Sequence, residues 1–158
     1  MKTLMRILLV EDSPRDAELI LDALEGHQLA NEVVHVRDGA EALDYLYRRG
    51  AFTDRAEGQP ALILLDLKLP KVDGLEVLRQ IKGDSTLKMI PVVMMTYSRE
   101  EQDLLRSYQL GVNAYVVKPM KFQDFVQAVK DVGAFWGVIN EVPPGSLRRN
   151  VGVGSSQS

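Results

Sequence analysis

Residues 61–82 read ALILLDLKLPKVDGLEVLRQIK. The run at 61–65 is apolar and of strand length, Asp66 is the first polar residue after it, and 75–82 carries helical spacing. A short continuous apolar run suits a strand covered on both faces, as in a parallel sheet. The same strand-then-helix unit recurs in both directions along the chain. Further apolar runs stand at 5–10, 91–95 and 114–117. A weaker one at 32–36 predicts a half-exposed strand at a sheet edge. Ser13 suits the cap of a first helix, with Pro14 at its opening position and Asp16 in its first turn. Ala17, Ile20, Leu21 and Leu24 then repeat at i, i+3, i+4 and i+7 before Gly26. Helices are also predicted over 40–49, 75–82 and 100–110, and from Phe122 onward, where Phe122, Phe125, Val126, Val129 and Trp136 share one face. Five such units predict a three-layer α/β domain with right-handed crossovers.

Composition narrows the function. The 158 residues carry 19 Lys+Arg against 22 Asp+Glu, a net charge of −3 that gives no electrostatic footprint for nucleic acid. There is no cysteine and there are only two histidines (His27 and His35), which excludes disulfides, Cys-based zinc sites and a cysteine nucleophile. The opening stretch MKTLMRILLV is interrupted by Arg6 and closed by Glu11-Asp12, too short an apolar run for a signal peptide. No 18-residue apolar segment is present. A soluble, cytoplasmic protein is expected, with neither nucleic acid nor membrane as partner. The stretch 49–60 makes a long connection, and 141–158 is a Pro, Gly and Ser-rich tail read as loosely docked or poorly ordered.

In an open parallel sheet, ligands bind beyond the carboxyl ends of the strands. The first strand ends at Glu11-Asp12, the third at Asp66, the fourth at Thr96 and the fifth at Lys118-Pro119. Three carboxylates crowded together repel unless something positive compensates them. Lys118 supplies one charge, and a hard divalent cation such as Mg2+ would supply the rest. A carboxylate in such a setting can act as a nucleophile toward phosphorus. The metal and Lys118 would then neutralise charge on the phosphoryl oxygens, and Thr96 could hydrogen-bond one of them.

The segments LLVEDSPRDAELI, LILLDLKLPKVDGLEVL, IPVVMMTYS and NAYVVKPM, in that order, resemble the receiver domains of two-component response regulators over residues 5–138. The long loop at 49–60 and the pair Phe135-Trp136 further resemble single-domain receivers partnered with phytochrome-type histidine kinases. The resemblance implies a flavodoxin-like (βα)5 doubly wound sheet of five parallel strands, order 2-1-3-4-5, with a receiver domain at 1–140 and an extension at 141–158. It implies that Asp66 is the phosphoacceptor and that Asp12, Asp66 and the backbone carbonyl of Lys68 hold Mg2+, with Glu11 completing the acidic pocket. Thr96 and Lys118 would contact the phosphoryl group, and Tyr115 would be a switch aromatic that turns inward as Thr96 moves. Pro70 and Gly74 match turn positions, and Lys118-Pro119 matches a bond that is cis in the family.

The implied function is a stand-alone switch rather than an enzyme. A sensor histidine kinase donates to Asp66, and the output is protein association through a surface around strand 4, helix 4, strand 5 and helix 5. A homodimer using helix 4, strand 5, helix 5 and the C-terminal extension is expected, because helix 5 stays apolar through Val138 and Ile139. Alternatives are a phosphate sink or relay, and an aspartyl-nucleophile phosphatase. The latter wants Asp-x-Asp and a cap insertion, whereas position 68 is Lys. A flavin-binding domain fits less well, since EDSPRD is the wrong charge for a phosphate loop. Two departures from the family pattern stand out. Tyr97 follows Thr96 where receivers usually place a small residue. Lys68 and Ser98 are ill-suited to orient an attacking water, which predicts a long-lived phosphoryl group.

Overall fold

A computed structural model describes residues 6–30, 32–119, 121–136 and 148–151. The elements are β1 (Arg6–Val10), α1 (Pro14–Gly26), β2 (Glu32–Val36), α2 (Gly39–Tyr47), β3 (Leu62–Asp66), α3 (Gly74–Gly83), β4 (Val92–Thr96), α4 (Glu101–Gln109), β5 (Ala114–Val117), α5 (Phe122–Trp136) and β6 (Arg148–Val151). The strands form one sheet in the order β5-β4-β3-β1-β2-β6, and every pairing is parallel. The expected order 2-1-3-4-5 is present, but the sheet has six strands rather than five, because residues 148–151 of the tail expected to be loosely docked or poorly ordered pair with β2 as β6.

Side chains alternate across each strand, so the sheet has two apolar faces. Leu8, Val10, Ile63, Leu65, Val92 and Met94 pack with Leu43 and Leu46 of α2 and Val77, Leu78 and Ile81 of α3. Ile7, Leu9, Leu62, Leu64, Val93 and Met95 pack with Ile20 and Leu24 of α1 and Phe125 and Val129 of α5. These are the helices on either side of a three-layer domain.

Two further expectations are corrected. The strand β2 is neither half exposed nor at an edge. It lies between β1 and β6, and its buried Glu32 pairs with Arg6 of β1 at 3.0 Å. Phe122 does not join the buried face of α5. It is the first residue of that helix, sits beyond the sheet with 51% of its surface exposed, and lines an apolar cleft with Leu19. The long connection at 49–60 is fastened to α2. Arg55 stacks over the Tyr45 ring at 4.2 Å and donates to the Tyr45 carbonyl at 2.7 Å, while the Gln59 amide donates to the Leu46 carbonyl at 3.0 Å. The expected partner surface at Phe135, Trp136, Val138 and Ile139 falls on side chains outside those described. Among the described residues no helix is long and apolar enough to cross a membrane.

Candidate functional site

At the carboxyl end of β1 the chain turns into α1 through Glu11, Asp12 and Ser13. The Ser13 hydroxyl accepts from the Asp16 amide at 3.2 Å, capping α1 with Pro14 in its first turn. Glu11 is fastened from both sides of its backbone: its N–H donates to the Val36 carbonyl at 3.0 Å, and its carbonyl lies 2.8 Å from Nε2 of His35. Its side chain is buried and accepts from the Ser13 amide at 3.1 Å. Asp12, by contrast, is exposed.

Asp66 is the last residue of β3 and is itself paired in the sheet, opposite Met95. The turn beyond it brings Gly74 so close that an added Cβ would lie 2.1 Å from the Asp66 carbonyl oxygen. The Gly74 amide donates to the Leu67 carbonyl at 2.8 Å, and the Pro70 carbonyl accepts from Val72 at 2.8 Å. A side chain at position 74 would push this turn off the strand end. Thr96 ends β4, is buried, and its hydroxyl accepts from the Ser98 amide at 3.2 Å. Lys118 follows β5, its amide donating to the Thr96 carbonyl at 2.7 Å, and its bond to Pro119 is cis.

The strand ends converge. The Lys118 ammonium donates to Glu11 at 2.8 Å, Asp16 at 3.1 Å and Asp66 at 3.3 Å. Glu11, Asp12, Ser13, Asp16, Asp66, Lys68, Thr96 and Tyr97 line one cavity of about 220 Å3. Carboxylate oxygens of Glu11, Asp12 and Asp66 lie within 4.8 Å of one another. Burial pushes the Glu11 carboxyl up to about 7, with the Asp66 charge pushing the same way and the Lys118 hydrogen bond opposing. Burial raises Asp66 as well, against the pull of Lys118. Burial alone would lower Lys118, but the Glu11 hydrogen bond and charge, with Asp66 and Asp16, hold it above its ordinary value. One ammonium thus faces more negative charge than it neutralises. A set of close, hard oxygen donors with that deficit fits a divalent cation.

Glu11, Asp12, Asp66, Thr96 and Lys118 all reach this crevice, whereas Pro119 lines a neighbouring apolar cleft. Tyr115 of β5 does not line the cavity, but its hydroxyl donates to the Ser98 carbonyl at 3.3 Å, so that Tyr115 and Thr96 meet at Ser98. Two further acids, beyond those at the strand ends, belong to the site. Asp16 receives both Lys118 and the Tyr97 hydroxyl, the latter at 3.1 Å. Asp103 of α4 accepts from the Ser98 hydroxyl at 2.5 Å and lies 3.7 Å from the Lys68 ammonium. Asp16 carried a signal, standing one helical turn after Asp12 and so at the same end of the sheet. Asp103 carried none, because its partners come from other elements.

Residues 7–130 match the family model of the response regulator receiver domain. Response regulator Rcp1 of Synechocystis sp. is 42% identical over 130 residues, 82% of this chain and 87% of the relative. A solved structure of the Mn2+-bound form of response regulator Rcp1 is similar, with 40% identity, TM-score 0.73, and coverage of 88% of this chain and 99% of that one. The bacteriophytochrome response regulator RtBRR is 63% identical with TM-score 0.79, covering 91% of this chain and 87% of that one. The phosphorylated cyanobacterial phytochrome response regulator RcpA is 45% identical with TM-score 0.74, covering 89% and 99%.

Proposed function

Because the chain belongs to the response regulator receiver family, we propose that it is a phosphorylation-operated switch with Asp66 as its phosphoacceptor. The observation that carries the proposal is the Lys118 ammonium 3.3 Å from Asp66 and 2.8 Å from Glu11, in a crevice onto which the ends of four strands open. In the reaction an Asp66 carboxylate oxygen bonds to phosphorus as the P–N bond of a phosphohistidine breaks. The bonding pair goes to the imidazole, which leaves neutral when its other nitrogen carries a proton. Lys118 is positioned to move from its carboxylates to the phosphoryl oxygens, and the Thr96 hydroxyl, which accepts from the Ser98 amide, to donate to one of them.

Glu11, Asp12, Asp66 and the backbone carbonyl of Lys68 would hold Mg2+. Bound there, the ion would neutralise charge on the transferring phosphoryl group. The donor is proposed to be a sensor histidine kinase of phytochrome type, in keeping with the names of the related proteins. The phosphoryl group is proposed to be long-lived, since Lys68 and Ser98 are both engaged by Asp103 rather than free to orient water. Signalling would pass through α4, β5 and α5 to a second copy of the chain, with residues 1–140 as the receiver and 141–158 as an extension whose β6 lies beside β2, at the opposite edge of the sheet from β5. Cytoplasmic action as a regulator, without enzymatic turnover of its own, completes the proposal.

The test is incubation with acetyl phosphate and Mg2+, read by intact mass and by size. Wild type is expected to gain one phosphoryl group and Asp66→Asn none. Labelling of the Asn variant would move the acceptor elsewhere. Continuous release of phosphate without a stable adduct would favour an aspartyl-nucleophile phosphatase.

A further inference from the structure

Asp16 divides its carboxylate between two partners. Oδ1 accepts from the Tyr97 hydroxyl at 3.1 Å, and Oδ2 accepts from the Lys118 ammonium at 3.1 Å. The same ammonium lies 4.8 Å from the centroid of the Tyr97 ring. The three side chains therefore close a triangle at the mouth of the acidic cavity. Tyr97 is 56% exposed, so its ring faces solvent on one side and the cavity shared by Asp66 and Thr96 on the other. The ring also borders an apolar cleft lined by Leu19, Ile20, Phe122 and Phe125. A ring released from Asp16 can turn toward that lining without becoming wholly exposed to water.

We propose that Asp16 is a positioning residue that latches Tyr97 across the crevice and so selects the phosphodonor. Small phosphodonors meet a held ring and react slowly. A donor carried on a protein opens the latch with contacts of its own. This rests on the reading of Asp66 as the phosphoacceptor. The anchor is well suited to the task. Asp16 sits in the first turn of α1, a helix held to the sheet by buried Ala17, Ile20 and Leu24. Tyr97 is bound to that fixed point by its side chain alone, so loss of one hydroxyl unties it.

The experiment is autophosphorylation of the full chain at saturating Mg2+, followed by intact mass, with acetyl phosphate and with the smaller phosphoramidate. In the acetyl phosphate reaction an Asp66 oxygen bonds to phosphorus as the P–O bond to acetate breaks. Acetate leaves with the bonding pair, and no proton has to move. Tyr97→Phe keeps the ring and the Asp16 charge but removes the latch, and is expected to raise the second-order labelling rate with acetyl phosphate about five-fold. The gain with phosphoramidate is expected to be smaller, because a held ring discriminates by size. Asp16→Ala should match Tyr97→Phe, and the double variant should be within about two-fold of the faster single one. Asp16→Asn, whose amide oxygen can still accept from Tyr97, should be accelerated less than Asp16→Ala.

Tyr97→Phe labelling at the wild-type rate would overturn the latch, and so would single effects that multiply in the double variant. Equal acceleration by Asp16→Asn and Asp16→Ala would assign the effect to charge and overturn it too. Labelling of wild type with no change in any variant would sink the latch alone. If nothing labels with either donor, Tyr97→Ala included, the phosphoacceptor reading fails and the latch with it.

Discussion

Tyr97 and Ser98 are neighbours in the chain, yet they are tied to opposite flanks of the crevice. Tyr97 is held by Asp16 of α1, and Ser98 is held by Asp103 of α4. The two helices differ in how they are anchored. Five apolar residues of α1, Ala17, Ile20, Leu21, Ala23 and Leu24, are buried. In α4 only Ser107 is buried, while Leu104, Leu105 and Tyr108 stand exposed. The α1 flank is a fixed wall fastened to the sheet by apolar burial. The α4 flank rests largely on polar ties, Asp103 to Ser98 and Asp103 to Lys68. A change in charge at Asp66 that draws on Thr96 or Lys68 therefore reaches α4 through bonds that can be exchanged one at a time. Elements that move in switching come from the less stable parts of a fold.

The largest expected effect lies on the fixed flank. Lys118→Met leaves Glu11, Asp16 and Asp66 without their shared ammonium, and should cost about 3 kcal/mol in denaturant unfolding without metal. Mg2+ should then stabilise the variant more than it stabilises wild type. An unchanged midpoint without metal would contradict the charge deficit on which the crevice is built.

A pH series sharpens the same point. The folded Glu11 carboxyl is raised from 4.5 to about 7, so the folded chain holds its proton more tightly than the unfolded chain does. The contribution is fully present below about pH 4.5 and is lost as pH rises through about 7, a fall of about 3 kcal/mol. Urea unfolding of wild type against Glu11→Gln in chelator, from pH 5 to pH 8, should show this slope in wild type and a flatter one in the variant. Parallel curves would remove the buried carboxyl from the account.

The smallest effect separates the two flanks most cleanly. Asp103→Ala should speed amide hydrogen exchange in α4 about five-fold, roughly 1 kcal/mol, and leave exchange in α1 unchanged. Equal acceleration in both helices would show that the flanks are not independently held.

Much of this arrangement was legible in the chain. The strands at 32–36 and 114–117 coincide with those observed, β3 and β4 each begin and end one residue later than expected, and Met5, the expected start of the first strand, lies outside the described residues. The later ends have a physical reason. Asp66 and Thr96 are polar, so an apolar run stops before them, yet their backbones still pair with Met95 and Val117. The acidic, hydroxylic and cationic residues at strand ends were readable because a parallel sheet brings those ends to one side. The strand β6 was not. Its sequence RRNV has no apolar run, and it is a strand because it completes the hydrogen bonding of β2, a tertiary cause rather than a local one. The same addition explains why β2 is buried where its own composition predicted an edge. Asp103 was hidden for a similar reason, its meaning lying in Ser98 and Lys68, which are distant in the chain or in a loop.

The most direct test of the central claim is chemical trapping of the labelled residue. The chain is incubated with acetyl phosphate and Mg2+, reduced with borohydride, digested and mapped by peptide mass. Reduction converts an aspartyl phosphate to homoserine, and the account predicts homoserine at position 66 and nowhere else. Homoserine at Asp12 or Asp16, or a labelled chain with Asp66 intact, would contradict it.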